Sequence, residues 1–337
     1  MTQAEILEID GKEIRISNPG KLYFPEAGLT KLDLARYYID VGSGALLGCR
    51  DRPCTLYRWP NGVDNPDDAF YQKRVPKGYP DWLQTATVRF PSGRSAQMVA
   101  PRDVAHILWC VNLGCIDINP WPVRTSDLDH PDEMRVDLDP TPGVPWDDVR
   151  ATAVIAAEVL ADHGLRGYPK TSGKRGMHIN VRIEPRWTFT QVRTAALAFA
   201  REVERRADGI ATTSWWKEER HGVFVDYNQN ARDRTVASAY SVRPTPDARV
   251  SCPLEWDEVP AVEPEELTVQ TVPVRLAEVG DPAAAIDYGP QALDSLLDLA
   301  RRDKEEGLSD APWPPHFAKA EEEPARVQPS RRRKPEK

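Results

Sequence analysis

The chain has 337 residues, a net charge of −8 and 40% hydrophobic residues, which is enough apolar material for a sizeable buried core. No stretch approaches the roughly 18 consecutive apolar residues that a membrane-spanning helix requires, and the first residues lack the basic and apolar regions of a secretory signal. These features predict a cytoplasmic protein without a membrane partner. Five cysteines without a Cys-x-x-Cys pair argue against both a disulfide framework and a zinc ribbon.

The charges of the chain are distributed unevenly, although their sum is negative. Acidic residues concentrate at about 127–148 and 257–266, whereas basic residues form four groups elsewhere. A local basic surface matters more to a nucleic acid than the total charge, because salt screens interactions beyond roughly 10 Å. The acidic composition therefore leaves nucleic-acid binding open. The basic groups are Arg50, Arg52 and Arg58; Lys73, Arg74 and Lys77; Lys170, Lys174 and Arg175; and Arg232, Arg234 and Arg243.

The N-terminal part of the sequence predicts a hairpin, two helices and several strands. Asp10 and the glycine after it form a two-residue turn signal, so residues 6–16 are predicted to fold back as a hairpin. Thr30 is a predicted helix N-cap, because an aspartate stands at the third helical position. A strand-rich stretch is predicted at about 53–99, followed by a helix at about 101–113.

Strand and helix patterns follow one another in the middle of the chain. They predict a mixed α/β fold, of the α+β kind, in which a central mixed sheet is flanked by helices. The predicted strands are at about 134–138, 166–171, 176–183, 222–227 and 235–242. The predicted helices are at about 145–163, 188–208 and 292–305.

The pattern weakens towards the C-terminus, and this change suggests a domain organisation. We expect a catalytic unit at 1–290, made of an N-terminal module (about 1–130) and a second module (about 131–290). Residues 291–337 are predicted to form a C-terminal helix and a disordered basic tail. The tail is predicted from Ala311 onward, because that segment is rich in Pro, Lys, Arg and Glu.

The segment Arg135–Asp139 places two carboxylates on one face of a predicted strand. Side chains alternate along a strand, so Asp137 and Asp139 share a face while Val136 and Leu138 point to the core. Two carboxylates this close repel each other unless a cation relieves them, and Mg²⁺ and Mn²⁺ prefer such oxygen ligands. A solvated turn could carry the same pattern. This pair, however, ends a strand, where sites of α/β proteins gather.

A second motif, Lys170-Thr-Ser-Gly-Lys-Arg-Gly-Met-His178, predicts an anion-binding turn. Ser172 and two glycines allow a tight turn whose amides face an anion, and Lys174 and Arg175 add positive charge. The pattern is not a Walker A loop. His178 begins the next strand and shares a face with an asparagine and an arginine. That polar row is unusual for a core, although a structural, hydrogen-bonded histidine would also fit.

A third motif is Val223-Phe-Val-Asp226-Tyr-Asn-Gln-Asn230. The apolar strand ends in Asp226, which can supply a third metal ligand from a distant part of the chain. Gln229 offers a neutral hydrogen-bonding group nearby. The motif is nonspecific by itself, and its weight comes from its combination with the other two.

In order and spacing, the three motifs resemble those of the archaeo-eukaryotic primase superfamily. The closest resemblance is to the polymerase module of bacterial ligase D and its stand-alone relatives, such as Prim-PolC. It covers roughly residues 10–253 and implies a bilobed primase-polymerase core that acts as a DNA-dependent nucleotidyltransferase. The other segments that carry it are Asn18–Lys31, Arg58–Val63, Phe70–Pro76, Val136–Pro140, Tyr168–Gly173 and Tyr240–Arg243.

The resemblance implies a role for each matching position. The two metal ions, Mn²⁺ or Mg²⁺, would be held by Asp137, Asp139 and Asp226. The incoming NTP or dNTP would be bound by Ser172, Lys174, Arg175, His178, Gln229 and Arg243. A downstream DNA 5′-phosphate would be bound by Lys21 and Lys31, and the template base would stack on Phe70 and Tyr71.

The sequence departs from the family pattern at two places. Many relatives carry a histidine before the first motif, where this chain has Ile118–Pro122 without one. This chain therefore lacks the side chain that would contact a phosphate or sugar at that position. The turn of the second motif contains Gly-Lys-Arg-Gly where Gly-Ser-Lys-Gly is common, so Arg175 rather than Lys174 is expected to take the basic role.

The implied activity is primer extension and filling of short gaps in DNA repair, with a preference for ribonucleotides and often for Mn²⁺. The expected partners are gapped or primer-template DNA and nucleoside triphosphates. A separate DNA ligase is a further candidate, because no Lys-x-Asp-Gly adenylation motif is present. We expect a monomer associated with the nucleoid. Two alternatives remain open, a metal-dependent nuclease or nucleotide hydrolase and a non-catalytic protein that binds DNA ends.

Overall fold

The computed structural model describes residues 4–317 and 319. The strands are β1 (Glu5–Ile9), β2 (Lys12–Ile16), β3 (Leu22–Phe24), β4 (Leu29–Thr30), β5 (Cys54–Arg58), β6 (Phe70–Gln72), β7 (Thr85–Arg89), β8 (Ser95–Val99), β9 (Cys115–Pro120), β10 (Glu133–Pro140), β11 (Gly167–Thr171), β12 (Met177–Arg182), β13 (Ala211–Thr212) and β14 (Val223–Val225). The helices are α1 (Lys31–Asp40), α2 (Gly42–Cys49), α3 (Val104–Asn112), α4 (Trp146–Asp162), α5 (Phe189–Arg206), α6 (Val272–Val279) and α7 (Asp294–Glu305).

Strand β10 lies at the centre of a five-stranded sheet with the order β11-β12-β10-β14-β13. Neighbouring strands are antiparallel, except that β13 and β14 are parallel. Met134, Val136 and Leu138 are buried, as the alternation along β10 predicts. Helices α4 and α5 pack against β10 and against each other. The predicted mixed sheet flanked by helices is therefore confirmed.

The ends of the helices follow local sequence signals. The Thr30 hydroxyl accepts a hydrogen bond from the amide of Asp33, whose carboxylate accepts one from the amide of Thr30, so α1 begins with a capping box. Thr188 and Gln191 form the same arrangement at the start of α5. Such caps satisfy amides that a helix leaves unpaired at its first turn. The predicted starts of α1 and α5 are correct for this reason.

A second five-stranded sheet lies in the N-terminal part of the chain. Strand β5 pairs with β6, β8 and β9, and β7 pairs with β8, all antiparallel. The predicted hairpin is present as β1 and β2, with Asp10 and Gly11 at positive φ. One continuous apolar core includes residues of both large sheets.

Two predicted elements differ from the structure. Helix α3 begins at Val104 rather than near residue 101, because the Asp103 carboxylate caps it by accepting a hydrogen bond from the amide of His106. Residues 235–242 do not form the predicted strand; Val242 makes only an isolated bridge. The reason is local, because Tyr240 has a φ of 62°, a left-handed conformation that interrupts an extended chain.

The C-terminal helix is confirmed as α7, whereas the start of the predicted tail differs. Residues 307–317, which we call the C-terminal arm, continue from α7, and Trp313 within it is buried. The arm packs because an arginine of α5 donates hydrogen bonds to its backbone carbonyl oxygens. The composition of the tail does not reveal this partner, so the tail was predicted to begin too early. The basic cluster at 331–334 lies outside the described residues. Within the described part of the chain, no helix is both long and apolar enough to cross a membrane.

Candidate active site

The first feature of the site is a row of three side chains across neighbouring strands. Asp137 on β10 is the cross-strand partner of His178 on β12, which is the partner of Lys170 on β11. The Lys170 Nζ atom lies 2.7 Å from His178 Nδ1, and His178 Nε2 lies 3.4 Å from Asp137 Oδ1. An ammonium donates but cannot accept, so this contact makes Nδ1 an acceptor and leaves the ring proton on Nε2, towards the carboxylate.

Burial governs the charges of this row. It lowers the pKa of Lys170 to about 7, with Arg243 as the next cause. Burial, and after it the positive charge of Lys170, lowers the pKa of His178 well below its usual range. His178 is therefore a neutral imidazole near pH 7, and the protonated form of Lys170 selects the tautomer that carries its proton on Nε2. The serine hydroxyl of Ser251 accepts a second hydrogen bond from Lys170, 2.5 Å from Nζ.

Two of the three predicted metal-binding aspartates lie on β10, and the third, Asp226, directly follows the neighbouring strand β14. The amide of Asp226 donates to the carbonyl oxygen of Asp137 at 2.8 Å, which brings the end of β14 beside β10. The Gln229 Nε2 atom lies 3.0 Å from Asp137 Oδ2 and 3.3 Å from Asp226 Oδ2. One amide group thus bridges two carboxylates from distant parts of the chain. Asp139 follows two residues after Asp137 on β10 and is exposed to solvent.

The electrostatics of these carboxylates indicate a need for positive charge. Burial raises the pKa of Asp137 to about 8, and the negative charges of Asp226 and Asp139 add to the effect. Burial also raises the pKa of Asp226. Among the described residues, no group of three or more His, Cys, Asp and Glu side chains is already arranged to hold a metal ion. The oxygen donors nevertheless suit a hard divalent cation, because such a cation relieves the repulsion that the single Gln229 amide only partly offsets.

We expect the affinity for Mn²⁺ to increase with pH. Asp137 must lose its proton to bind a cation, so below its pKa of about 8 the affinity should rise by up to about tenfold per pH unit and then level off. Titration of free Mn²⁺ by electron paramagnetic resonance at pH 6.5, 7.5 and 8.5 measures this trend. Asp137→Asn serves as the control and should bind weakly at every pH. An affinity for Mn²⁺ that does not change with pH would contradict the prediction.

The same pKa shift affects the stability of the metal-free protein. The pKa of Asp137 is raised from its ordinary value of 3.8, so the folded state holds the proton more tightly than the unfolded state. This contribution to the free energy of unfolding is fully present below about pH 4 and is lost as the pH rises to about 8.

The predicted anion-binding turn lies against β10. Its glycines are required, because a Cβ atom at Gly176 would lie 2.3 Å from the carbonyl oxygen of Leu138, and Gly173 has a φ of +68°. The amides of Lys174 and Gly176 donate to the hydroxyl of Ser172, at 3.2 and 3.0 Å. The sequence predicted that the amides of this turn would face an anion. In the structure these two amides face the serine hydroxyl instead. Lys174 and Arg175 are exposed residues of the turn, although the Lys174 ammonium is partly desolvated beside Arg243.

Arg243 lies beside this turn and is paired with a buried carboxylate. Its guanidinium donates to Asp117, which is fully buried. Burial lowers the pKa of Lys174, and the positive charge of Arg243 lowers it further, so the two cations are close. The Nε atom of Arg243 is buried and has no hydrogen-bond partner among the described residues. A buried donor without a partner is costly, and a phosphate oxygen would satisfy it if the guanidinium turned to expose that atom.

The predicted template platform is exposed, and Tyr57 supports it. Phe70 and Tyr71 are 43% and 58% exposed, which is unusual for large aromatic rings. Tyr71 stacks on Tyr57 with ring centroids 4.1 Å apart and an angle of 7° between the planes. Arg58 lies over Phe70, 5.1 Å from its centroid. Burial is the main cause of the raised pKa of Tyr71, and the negative charge of Asp117 is the next. The platform therefore lies near the ion pair of Asp117 and Arg243.

Lys21 and Lys31 lie in different surroundings. The Lys21 ammonium is 2.7 Å from Asn61 Oδ1 at the surface. Lys31 is only 4% exposed, and its ammonium lies within hydrogen-bonding distance of four oxygens of Ser17 and Asn112. Burial lowers the pKa of Lys31 to about 8, and the positive charges of Lys21 and Arg58 contribute. The two lysines therefore form one cationic cluster, but Lys31 is also a structural residue of the fold.

Two residues of the candidate site, Asp117 and Tyr57, were not singled out in the sequence, and Lys170 was placed in the basic motif without a role of its own. Lys170 and Asp117 are charged residues inside otherwise buried strands, and that pattern is a usable signal. Tyr57 gives no such signal, because only the pairing of β5 with β6 places it under Tyr71.

Together the fold and the site define a nucleotidyltransferase of the primase-polymerase class. A family model described as "LigD, primase-polymerase domain" matches residues 30–283, and the chain belongs to this family. The resemblance to the polymerase module of ligase D is thus confirmed, and with it the predicted enzyme class.

Individual relatives agree with this assignment. The chain is 29% identical over 289 residues to the multifunctional non-homologous end joining protein LigD of Mycolicibacterium smegmatis, covering 85% of this chain and 37% of the relative. It is 28% identical over 278 residues to the protein of the same name from Pseudomonas aeruginosa, covering 82% and 33%. The chain therefore spans little more than about a third of these relatives. A solved structure of the polymerase domain of Mycobacterium tuberculosis ligase D in complex with DNA matches with a TM-score of 0.77 and 29% identity, covering 82% of this chain and 99% of that one.

Proposed function

We propose that this protein is a DNA-dependent nucleotidyltransferase that extends primers and fills short gaps during DNA repair. The observation that carries the proposal is the convergence of Asp137 and Asp226 on one amide group, beside a glycine turn that carries Lys174 and Arg175. The solved relative in complex with DNA supports DNA as the partner. The names of the relatives support a role in the repair of broken ends.

We propose that Asp137, Asp139 and Asp226 hold two divalent ions, Mn²⁺ or Mg²⁺. When bound, such ions lower the pKa of a primer hydroxyl and neutralise charge on the departing pyrophosphate. The chain itself positions the ligands: Gln229 sets the spacing of two carboxylates, and the Lys170–His178 pair presents an N–H to Asp137. Most of the catalytic effect would then come from orientation and charge rather than from covalent chemistry.

The nucleotide is proposed to bind between the turn and Arg243. Lys174 and Arg175 are exposed cations on the turn, and the buried Nε donor of Arg243 has no partner within the described residues. His178 donates its Nε2 proton towards the metal site, and Ser172 holds the turn closed. An NTP or a dNTP satisfies Lys174, Arg175 and Arg243 equally, because these three cations address phosphate. The preference for ribonucleotides is proposed from the family resemblance alone, and competition between labelled NTP and dNTP tests it.

DNA is proposed to lie across the aromatic platform. Bases stack on exposed aromatic rings in single-strand grooves, and Tyr71 is already fixed in plane by Tyr57. A neighbouring groove contains Lys73, Arg74 and Arg94 with Phe90, and these residues suit a phosphate backbone. The two modules, 1–130 and 131–290, are proposed as the DNA-facing and metal-binding parts. We also propose that the protein is a monomer, that it works with a separate DNA ligase and that it associates with the nucleoid.

We expect Lys21→Ala to remove the advantage of a downstream 5′-phosphate. A charge-assisted contact is worth roughly 1.5–3 kcal/mol, so the phosphate should improve use of gapped DNA by about tenfold or more in the wild type. Nucleotide addition is measured on one substrate with a 5′-phosphate and a matched one with a 5′-hydroxyl. Lys31→Ala should also lower the melting temperature, since the hydrogen bonds of its ammonium to Ser17 and Asn112 are lost.

A panel of gapped, overhanging and unprimed DNA, with and without nucleotides, decides between the candidate activities. Extension that needs nucleotides supports the polymerase. Shortening of the primer without nucleotides would favour the nuclease, and metal-independent DNA binding without turnover would favour an end-binding protein. Equal use of 5′-phosphate and 5′-hydroxyl gaps by the wild type would remove the gap-filling assignment.

A further inference from the structure

The C-terminal arm is joined to the metal site through a buried arginine of α5. Arg193 is fully buried, and its guanidinium donates to both the arm and the 3₁₀ turn that follows Asp226 (Tyr227–Asn230). Its Nε atom lies 2.7 Å from Asn228 Oδ1. Its terminal nitrogens contact Asp310 Oδ1 at 2.9 Å, and the carbonyl oxygens of the next two residues at 2.7 and 3.1 Å.

Aromatic rings enclose the same guanidinium. The Arg193 guanidinium carbon lies 4.0 Å from the ring centroid of Trp313 on the arm and 5.2 Å from that of Tyr227 on the turn. Trp313 in turn donates from its indole nitrogen to Asp310 Oδ2 at 2.9 Å. Most of the hydrogen-bond acceptors that satisfy this buried cation are supplied by the arm, so the arginine depends on it.

The turn transmits these contacts to the candidate metal ligands. The Asn228 side chain donates to the Pro312 carbonyl at 3.1 Å, while its backbone amide donates to Asp226 Oδ1 at 2.9 Å. The next residue, Gln229, is the one that bridges Asp226 and Asp137. On the inner side, Asn230 exchanges two hydrogen bonds of 2.8 Å with the backbone of Arg135 on β10. The turn is therefore anchored from inside by the sheet and from outside by the arm.

We propose that the C-terminal arm is a positioning element for the metal site, acting through Arg193 and Asn228 on Asp226 and Gln229. The inference rests on the proposed function. The family model ends its match at residue 283, so the arm acts from outside the matched segment. Partners of metal ligands that do not touch the metal themselves typically change its affinity by 10- to 100-fold, roughly, when they are removed.

The test compares full-length variants by their Mn²⁺ dissociation constant, from electron paramagnetic resonance, and by thermal melting. Asp310→Ala removes contacts to Arg193 and Trp313 and should weaken Mn²⁺ binding roughly tenfold. Asp298→Ala is the matched control, because it also removes an aspartate that is paired with an arginine. That pair, Asp298 and Arg301, lies on the exposed surface of α7. This control variant should bind Mn²⁺ as the wild type does. At saturating Mn²⁺ the rate of nucleotide addition by Asp310→Ala should return close to that of the wild type, as expected for a positioning role.

A pair of truncations gives an independent reading. A chain that ends at Lys319 keeps the arm and should bind Mn²⁺ normally, whereas one that ends at Glu306 lacks it and should bind weakly. If circular dichroism shows that the shorter chain does not fold, the comparison of Asp310→Ala with Asp310→Asn decides. Asparagine keeps an oxygen acceptor for Arg193, so Asp310→Asn should recover part of the Mn²⁺ affinity that Asp310→Ala loses. Lower melting temperatures with unchanged Mn²⁺ affinity would overturn the inference and leave the arm purely structural. A wild type that neither binds Mn²⁺ nor adds nucleotides would instead overturn the proposed function itself.

Discussion

Replacement of Asp137 and Asp139 together by alanine should abolish nucleotide addition while DNA binding persists. Divalent ions contribute several kcal/mol to charge stabilisation in phosphoryl transfer, so a loss of roughly 10³-fold or more is expected. Primer extension on gapped DNA measures the activity, and fluorescence anisotropy of the same DNA measures binding. Both aspartates lie on the candidate metal site rather than on the aromatic platform.

The fold should tolerate this double change. Burial and the nearby negative charges already raise the pKa of Asp137, so removing the carboxylate relieves repulsion in the metal-free protein. The melting temperature without metal should be equal to or higher than that of the wild type. Extension at the wild-type rate by the double variant would refute the catalytic assignment, whereas loss of both folding and activity would show that the aspartates serve the fold.

Gly176→Ala should cause the second largest loss, through backbone geometry rather than charge. The added Cβ atom would meet the carbonyl oxygen of Leu138 at 2.3 Å, between the two aspartates of β10. Forced overpacking of this kind costs roughly 1–3 kcal/mol, and any relief moves the turn away from the strand. We therefore expect both a lower melting temperature and a loss of nucleotide addition of more than about tenfold.

Gly20→Ala is the matched control for this change. Gly20 is exposed, has no atom within 4 Å of an added Cβ and does not adopt a positive φ. It should melt and react like the wild type. Activity of Gly176→Ala equal to that of Gly20→Ala would show that the turn can move without consequence for the reaction.

Much of the fold could be predicted because its signals are local. The alternation of β10 and the capping residues Thr30 and Thr188 act over three or four residues, and the three elements that they predict, β10, α1 and α5, are present. The segment at 235–242 failed because its backbone is set by the left-handed conformation of Tyr240, which no propensity reveals.

The sequence nominates the candidate site residues, but it does not reveal how they are arranged. Charged residues at the ends of apolar strands indicate Asp137, Asp139 and Asp226, and the resemblance supplies their roles. The bridging position of Gln229 and the burial of Lys31 depend on contacts between residues far apart in the chain. The same holds for the arm, since the burial of Trp313 requires an arginine more than a hundred residues earlier, in α5.

The hydrogen bonds between β10 and the segment after β14 have a consequence for how the protein matures. Asp137 and Gln229 are 92 positions apart in the chain, so their meeting closes a long loop and comes late in folding. A nascent chain that has not yet emerged as far as Asp226 would contain the first two aspartates but no complete site. The site would then become complete only after β14 and the turn that follows it have packed against β10. Recovery of Mn²⁺ binding after denaturation would therefore measure the last step of folding rather than early helix formation.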